Sequence, residues 1–197
     1  MFLAILMSYN PMIGRANQLD DFSLQYPSAW PEKKNIKSCH DLSGNYIATG
    51  KYVEQSEAPL FSHLSIENLL MLGSFGGSVN TFQLDYEDNK GILDITYFGS
   101  NLIAKEDYGS VPPKYKKELR LEVSGRCHHG LFVINHIRPW GGNGESYPTK
   151  SESISMLTIA ADDSLIIKHS SITWISKWFG LSIKQTRIDG WYMFERE

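Results

Sequence analysis

From Cys39 to the end of the chain, side chains change polarity at every second position, and this period of two constrains the fold more than any other feature. In TFQLDYED, residues 81–88, Phe82, Leu84 and Tyr86 share one side while Gln83, Asp85 and Glu87 share the other. Successive strand residues point to opposite faces, so such a run predicts a half-buried β-strand. Turn chemistry at Asp88-Asn89-Lys90-Gly91 is followed by Leu93, Ile95 and Tyr97 in GILDITYF, which completes a hairpin. The pattern returns in KELRLEVS, with Leu119, Leu121 and Val123, then a Gly125–Gly130 turn and LFVINHIR. A third hairpin, SISMLTIAADDSLIIKHSSITWIS, turns at Ala161-Asp162-Asp163-Ser164, and GWYMFERE forms a closing strand.

The count is about eight to ten antiparallel strands, an all-β chain. Consecutive hairpins with one apolar face need closure or a second sheet, because a long open edge invites aggregation. The spacing therefore predicts an up-and-down β-barrel, with a β-sandwich as the alternative. Residues 60–72 hint at one short helix, where Ser65 could cap a turn backed by Leu69, Leu70 and Leu72, with a strand as the alternative because of the β-branched and aromatic neighbours. Gly-rich stretches at 73–78 and 139–148 read as rim loops. The aromatics Tyr46, Phe82, Tyr97, Trp140, Tyr147 and Trp174 are the candidate ligand-binding residues, Trp140 and Tyr147 on the rim, where they either meet a ligand or plug the barrel end.

A chain of 197 residues buries enough surface for one domain, here residues 39–197. Its net charge of −3 gives no electrostatic case for nucleic acid. The basic run from Lys114 to Arg120 reads as a solvated strand entry, since Glu118 interrupts it. At the N-terminus the apolar MFLAILM precedes small residues Gly14 and Ala16, which suits the remnant of an export signal over residues 1–16. An amphipathic or strand-like start is the alternative. Residues 17–38, with two prolines and no sustained period, read as an extended leader that could contact an envelope partner. No stretch reaches 18 apolar residues, so no transmembrane helix is expected.

Cys39 and Cys127 are the two cysteines. In an exported chain they form an even set that could bridge the first strand to a later hairpin; in a cytoplasmic chain they would be ordinary thiols. Lys37, two residues ahead of Cys39, argues against lipid attachment there. The bonded alternative goes with the periplasm or cell envelope, the free-thiol alternative with the cytoplasm.

The segment Cys39, Asp41, Leu42, Ser43, Gly44, Tyr46 resembles the opening of small proteobacterial envelope β proteins, lipoprotein-like chains with a C-x-D-L-S-G-x-Y pattern after an export signal. It is also similar to the lipocalin G-x-W signature, with Gly44 in the glycine place and Tyr46 in that of the tryptophan. That resemblance implies a ligand-binding barrel in which an arginine near the C-terminus, Arg187 or Arg196, packs over the aromatic ring.

Motifs of chemistry do not appear: the chain has no G-x-S-x-G, H-E-x-x-H, C-x-x-C, phosphate loop or dinucleotide fingerprint. No catalytic residue and no cofactor are therefore assigned, and the enzyme question leans to no. His128, His129 and His136 lie close in sequence to Cys127, yet strand neighbours point apart and zinc-type spacing is missing, so no metal site is expected. Two functions fit best: an envelope or periplasmic module binding a small apolar ligand or lipid, or a filled barrel contacting an envelope partner. A hydrolase without a recognisable motif comes third.

Overall fold

The computed structural model describes residues 26–54, 66, 76–87, 90–104, 107, 112, 114–141, 149–177 and 182–197. Pro31–Glu197 forms one compact unit and Met1–Trp30 another. Of the latter, a turn is described in which the Trp30 N–H donates to the Pro27 carbonyl at 3.0 Å.

Within the larger unit the described strands are β1 (Gly44–Ile47), β2 (Lys51–Glu54), β3 (Gly76–Glu87), β4 (Ile92–Ile103), β5 (Lys116–Ser124), β6 (Arg126–His128), β7 (Leu131–Gly141), β8 (Thr149–Ile159), β9 (Leu165–Lys177) and β10 (Ser182–Phe194). All pairings are antiparallel. The registers follow the alternation: Phe82 faces Tyr97, Leu84 faces Ile95 and Tyr86 faces Leu93 across β3 and β4. Leu119, Leu121 and Val123 extend the same rows onto β5. The second hairpin turns more tightly than its glycines suggest, because Arg126–His128 pair as β6 and only His129 and Gly130 remain to turn, both at positive φ.

The strands make two sheets, ordered β1-β3-β4-β5 and β2-β10-β9-β8-β7-β6, and they are not closed into one barrel. The reason lies at two places where the chain changes sheet. Residues 48–50 carry it from β1 to β2, and Gly125 carries it from β5 to β6. At Gly125 a Cβ would lie 2.5 Å from the Phe132 ring, so only glycine lets the bend close onto β7.

One hydrophobic core lies between the sheets. It joins Tyr46, Phe82, Leu84, Tyr86, Leu93, Ile95, Tyr97, Leu119 and Val123 of the first to Phe132, Ile134, Leu157, Ile159, Leu165, Ile167, Tyr192 and Phe194 of the second. The opposite face of the six-stranded sheet is shielded as well: Val133, Met156, Lys168 and Trp191 form one buried row across β7, β8, β9 and β10. A sheet covered on both sides explains the unbroken apolar run Leu165-Ile166-Ile167, which a one-sided alternation does not account for.

Where a first strand was expected to open at Cys39, the chain instead makes a 3-10 turn, Cys39–Leu42, and enters β1 at Gly44. Ser38 caps it, its Oγ accepting from the His40 N–H. Part of the expected leader straps the β8–β9 hairpin: Lys34 N–H donates to the Ile159 carbonyl, Ala161 N–H to the Glu32 carbonyl, and Lys34 pairs with Asp163 at 2.7 Å. The helix expected over residues 60–72 lies outside the described residues except for Ile66, which is helical and buried.

Candidate functional site

The candidate aromatics separate into three groups. Tyr46, Phe82 and Tyr97 are fully buried. Tyr46 and Phe82 stack with ring centroids 5.5 Å apart, Phe82 tilts against Tyr97 at 6.4 Å, and Phe194 from the other sheet meets Phe82 edge-on at 5.4 Å. Offset and edge geometries of this kind bind rings to one another beyond simple burial. These three residues therefore fill the space between the sheets. The Tyr46 hydroxyl donates to the Leu42 carbonyl at 2.8 Å, and burial raises its pKa to about 12 against a smaller opposing pull from Arg196.

Trp174 lies elsewhere. It pairs with Lys150 on the face opposite the shared core, half-buried beneath the Lys150 Nζ, 5.1 Å from its ring centre. Trp140 belongs to β7 by its backbone, but its side chain, like all of Tyr147, falls outside the described residues. The structure thus brings Tyr46, Phe82 and Tyr97 together and does not bring Trp174 to them.

The interior of the six-stranded sheet changes character along the strands. Its first rows are apolar: Leu165 opposite Phe194, then Phe132, Leu157, Ile167 and Tyr192 in register. The next row is Ile134, Ser155, His169 and Gly190, and the row beyond it runs from exposed His136 through buried Ser153 to half-buried Ser171. Ser155 Oγ and His169 Nδ1 share a hydrogen bond of 2.8 Å, with the two residues 2% and 4% exposed. Ser153 is 8% exposed, and its Oγ has no hydrogen-bond partner. Half-buried Ser151, Ser171 and Thr173 continue the polar surface outward.

The sequence reading missed these residues. In SESISM the alternation is legible, but its apolar set, Ile154 and Met156, was the natural one to turn inward. Both sets are buried in the structure, and it is the serines that share a side with Leu157 and Ile159. The available signal was the sequel MLTI, where apolar residues occupy both parities.

Cys39 and Cys127 are bonded, with Cα atoms 5.9 Å apart. The bond ties the 3-10 turn to β6, beside the seam where the chain changes sheet. His128 and His129 pack ring to ring at 4.3 Å in the adjoining turn, and no group of three His, Cys, Asp or Glu side chains converges among the described residues. No described helix is long and apolar enough to cross a membrane.

No family model matches this chain, and no curated protein or solved structure matches it either.

Proposed function

We propose that this chain is a non-enzymatic, exported β module that holds a small lipid-like ligand at the polar end of its interior, its sheets arranged as a flattened lipocalin-like barrel. The observation that carries the reading is the change along the six-stranded sheet from packed aromatic and aliphatic rows to buried Ser155, His169 and Ser153. A core that needed only stability would keep apolar side chains there, since burying hydroxyls and an imidazole costs free energy unless every polar atom is bonded.

Three features support the barrel part. Strand neighbours read in a cycle once β1 is joined to β2 and β5 to β6 through the chain. The Ile47 N–H donates to the Glu195 carbonyl and the Glu197 N–H to the Asn45 carbonyl, joining the first strand to the C-terminal segment. Arg196 packs on Gly44 beside Tyr46, the place that the lipocalin resemblance assigns to a C-terminal arginine. The disulfide is compatible with export to the periplasm or envelope.

Native mass spectrometry of gently purified protein, repeated after organic extraction, tests the reading. A lipid-sized adduct that disappears on extraction is the expected result, and its reproducible absence overturns ligand binding. That absence would favour a second reading, a filled module contacting an envelope partner, for which the mutual packing of Tyr46, Phe82, Tyr97 and Phe194 speaks.

A further inference from the structure

We infer that the outer edge of β5 is a self-association surface, where a second copy of this chain adds its own β5 antiparallel about a two-fold axis at Leu119, whether or not a ligand is bound.

β5 ends the four-stranded sheet on one side, and among the described residues it pairs with β4 alone. Past Gly125 the chain continues as β6 in the other sheet, so no described strand runs along the outer edge of β5. Such an edge offers a row of N–H and C=O groups that another strand can complete. β5 is nine residues long, against four each for β1 and β2 and three for β6, so it is the longest edge strand described.

Charge selects the occupant. The face of β5 turned away from the core carries Lys116, Glu118, Arg120 and Glu122 in alternating sign, all exposed except half-buried Lys116. In a two-fold pairing each contact between unlike positions occurs twice. With the axis at Leu119, Lys116 stands opposite Glu122 of the second copy, and Glu118 stands opposite Arg120 of the second copy. Every charge on that face then meets its opposite. An axis at Glu118 or Arg120 sets like charges against one another, which is destabilising across a strand pair, and an axis at Lys117 or Leu121 leaves part of the set unmatched. A charged edge repels most strands, but this order of charges fits its own copy.

The surroundings of these side chains support the pairing. Glu122 stands opposite Asp94 on β4, a like charge, and Glu118 opposite Phe98. The second copy sets a cation on the other side of each. Lys116 and Arg120 are held by Asp107 and Asp94, at 3.2 Å and 2.6 Å, with their side chains 40% and 61% exposed. Cations fixed in this way lose little freedom on meeting a second carboxylate. Tyr115, just ahead of β5, is 60% exposed, the most of any large apolar side chain among the described residues. The same axis sets it opposite Val123 of the second copy, an aromatic and β-branched pair of the favoured kind.

The test is sedimentation velocity on the full chain from about 10 µM to about 1 mM, since the contact of one strand pair is small and associates weakly. Wild type is expected to pass from monomer to dimer over that range, and less readily in about 0.5 M than in about 0.05 M salt. Lys116→Glu and Glu122→Lys each set like charges opposite one another in both symmetric contacts. Each variant by itself is expected to raise the dimer dissociation constant about tenfold or more. Mixed in equal amounts, they should form a one-to-one heterodimer about as tight as the wild-type dimer, because each reversed charge again meets its opposite. Recovery in the mixture also shows that both variants are folded. A wild type that stays monomeric throughout overturns the inference and leaves this edge to a different chain. Variants that dimerise as tightly as wild type, or a mixture no tighter than its components, overturn the pairing about Leu119.

Discussion

Tyr46 and Arg196, 150 positions apart in sequence, face each other across an antiparallel bridge. The Arg196 guanidinium donates from Nη2 to the Ser43 carbonyl at 2.8 Å and lies so close to Gly44 that a Cβ there would come within 2.8 Å of the same nitrogen. The start of the fold is thus locked to its end, and the absence of a side chain at residue 44 makes the lock fit.

Gly44→Ala is expected to destabilise the chain by about 1–2 kcal/mol, because the new methyl group displaces the guanidinium. Arg196→Ala should cost about 1 kcal/mol through the lost charge-assisted bond to Ser43. Combined, the two should cost clearly less than their sum, since each removes the same contact. Urea unfolding of the four proteins measures this, and strict additivity would show that the glycine serves some other purpose.

Tyr46 sets an alkaline limit on stability. Its hydroxyl ionises near pH 12 in the folded chain, chiefly because it is buried, against the usual value of 10.0. Between those values the folded chain holds a proton that the unfolded chain has released, so stability falls as pH rises through this window, by about 2–3 kcal/mol in all. Tyr46→Phe should lose about 1 kcal/mol at neutral pH, where the bond to Leu42 is missing, and should show a flatter decline between pH 10 and 12. Equal slopes for both proteins would refute the assignment.

The Cys39–Cys127 bond closes a segment with a sequence separation of 88. Constraining the unfolded chain over that length is worth about 4.5 kcal/mol in the loop-entropy account. The Cys39→Ala/Cys127→Ala double variant should accordingly unfold at a much lower denaturant concentration. Mass mapping without reductant of periplasmically expressed protein should link the two cysteine peptides, and two alkylatable thiols in that sample would contradict the bond.

Asp94 is buried, with one carboxylate oxygen 2.6 Å from Arg120 Nη2 and the other without a hydrogen-bond partner. Its neighbours in register are Asp85 and Glu122, so Arg120 is the cation that compensates it on this face. Arg120→Met should therefore destabilise more than a typical exposed substitution, because it leaves the buried Asp94 carboxylate without its cation, and Asp94→Asn should recover part of that loss in the double variant. Chemical denaturation checks both.

Much of this fold was legible in the chain itself. Strict alternation in TFQLDYED, GILDITYF and KELRLEVS fixes which side chains share a face, because a strand offers only two, and turn residues between the runs make the neighbours antiparallel. Tyr46, Phe82 and Tyr97 could be identified as interior for that reason, and Cys39 and Cys127 as a candidate bond. Alternation does not say how far apart two interior faces stand, so it could not tell a ligand wall from the packed ring cluster that Phe82 makes with Phe194. Tertiary structure alone decided that Gly125 and residues 48–50 carry the chain from sheet to sheet, and that the six-stranded sheet is shielded on both faces. Once both faces are covered, polarity no longer marks inside from outside along β8 and β9. The position of Ser153, Ser155 and His169 beside the core then depends on register, which long-range pairing sets and no local pattern encodes.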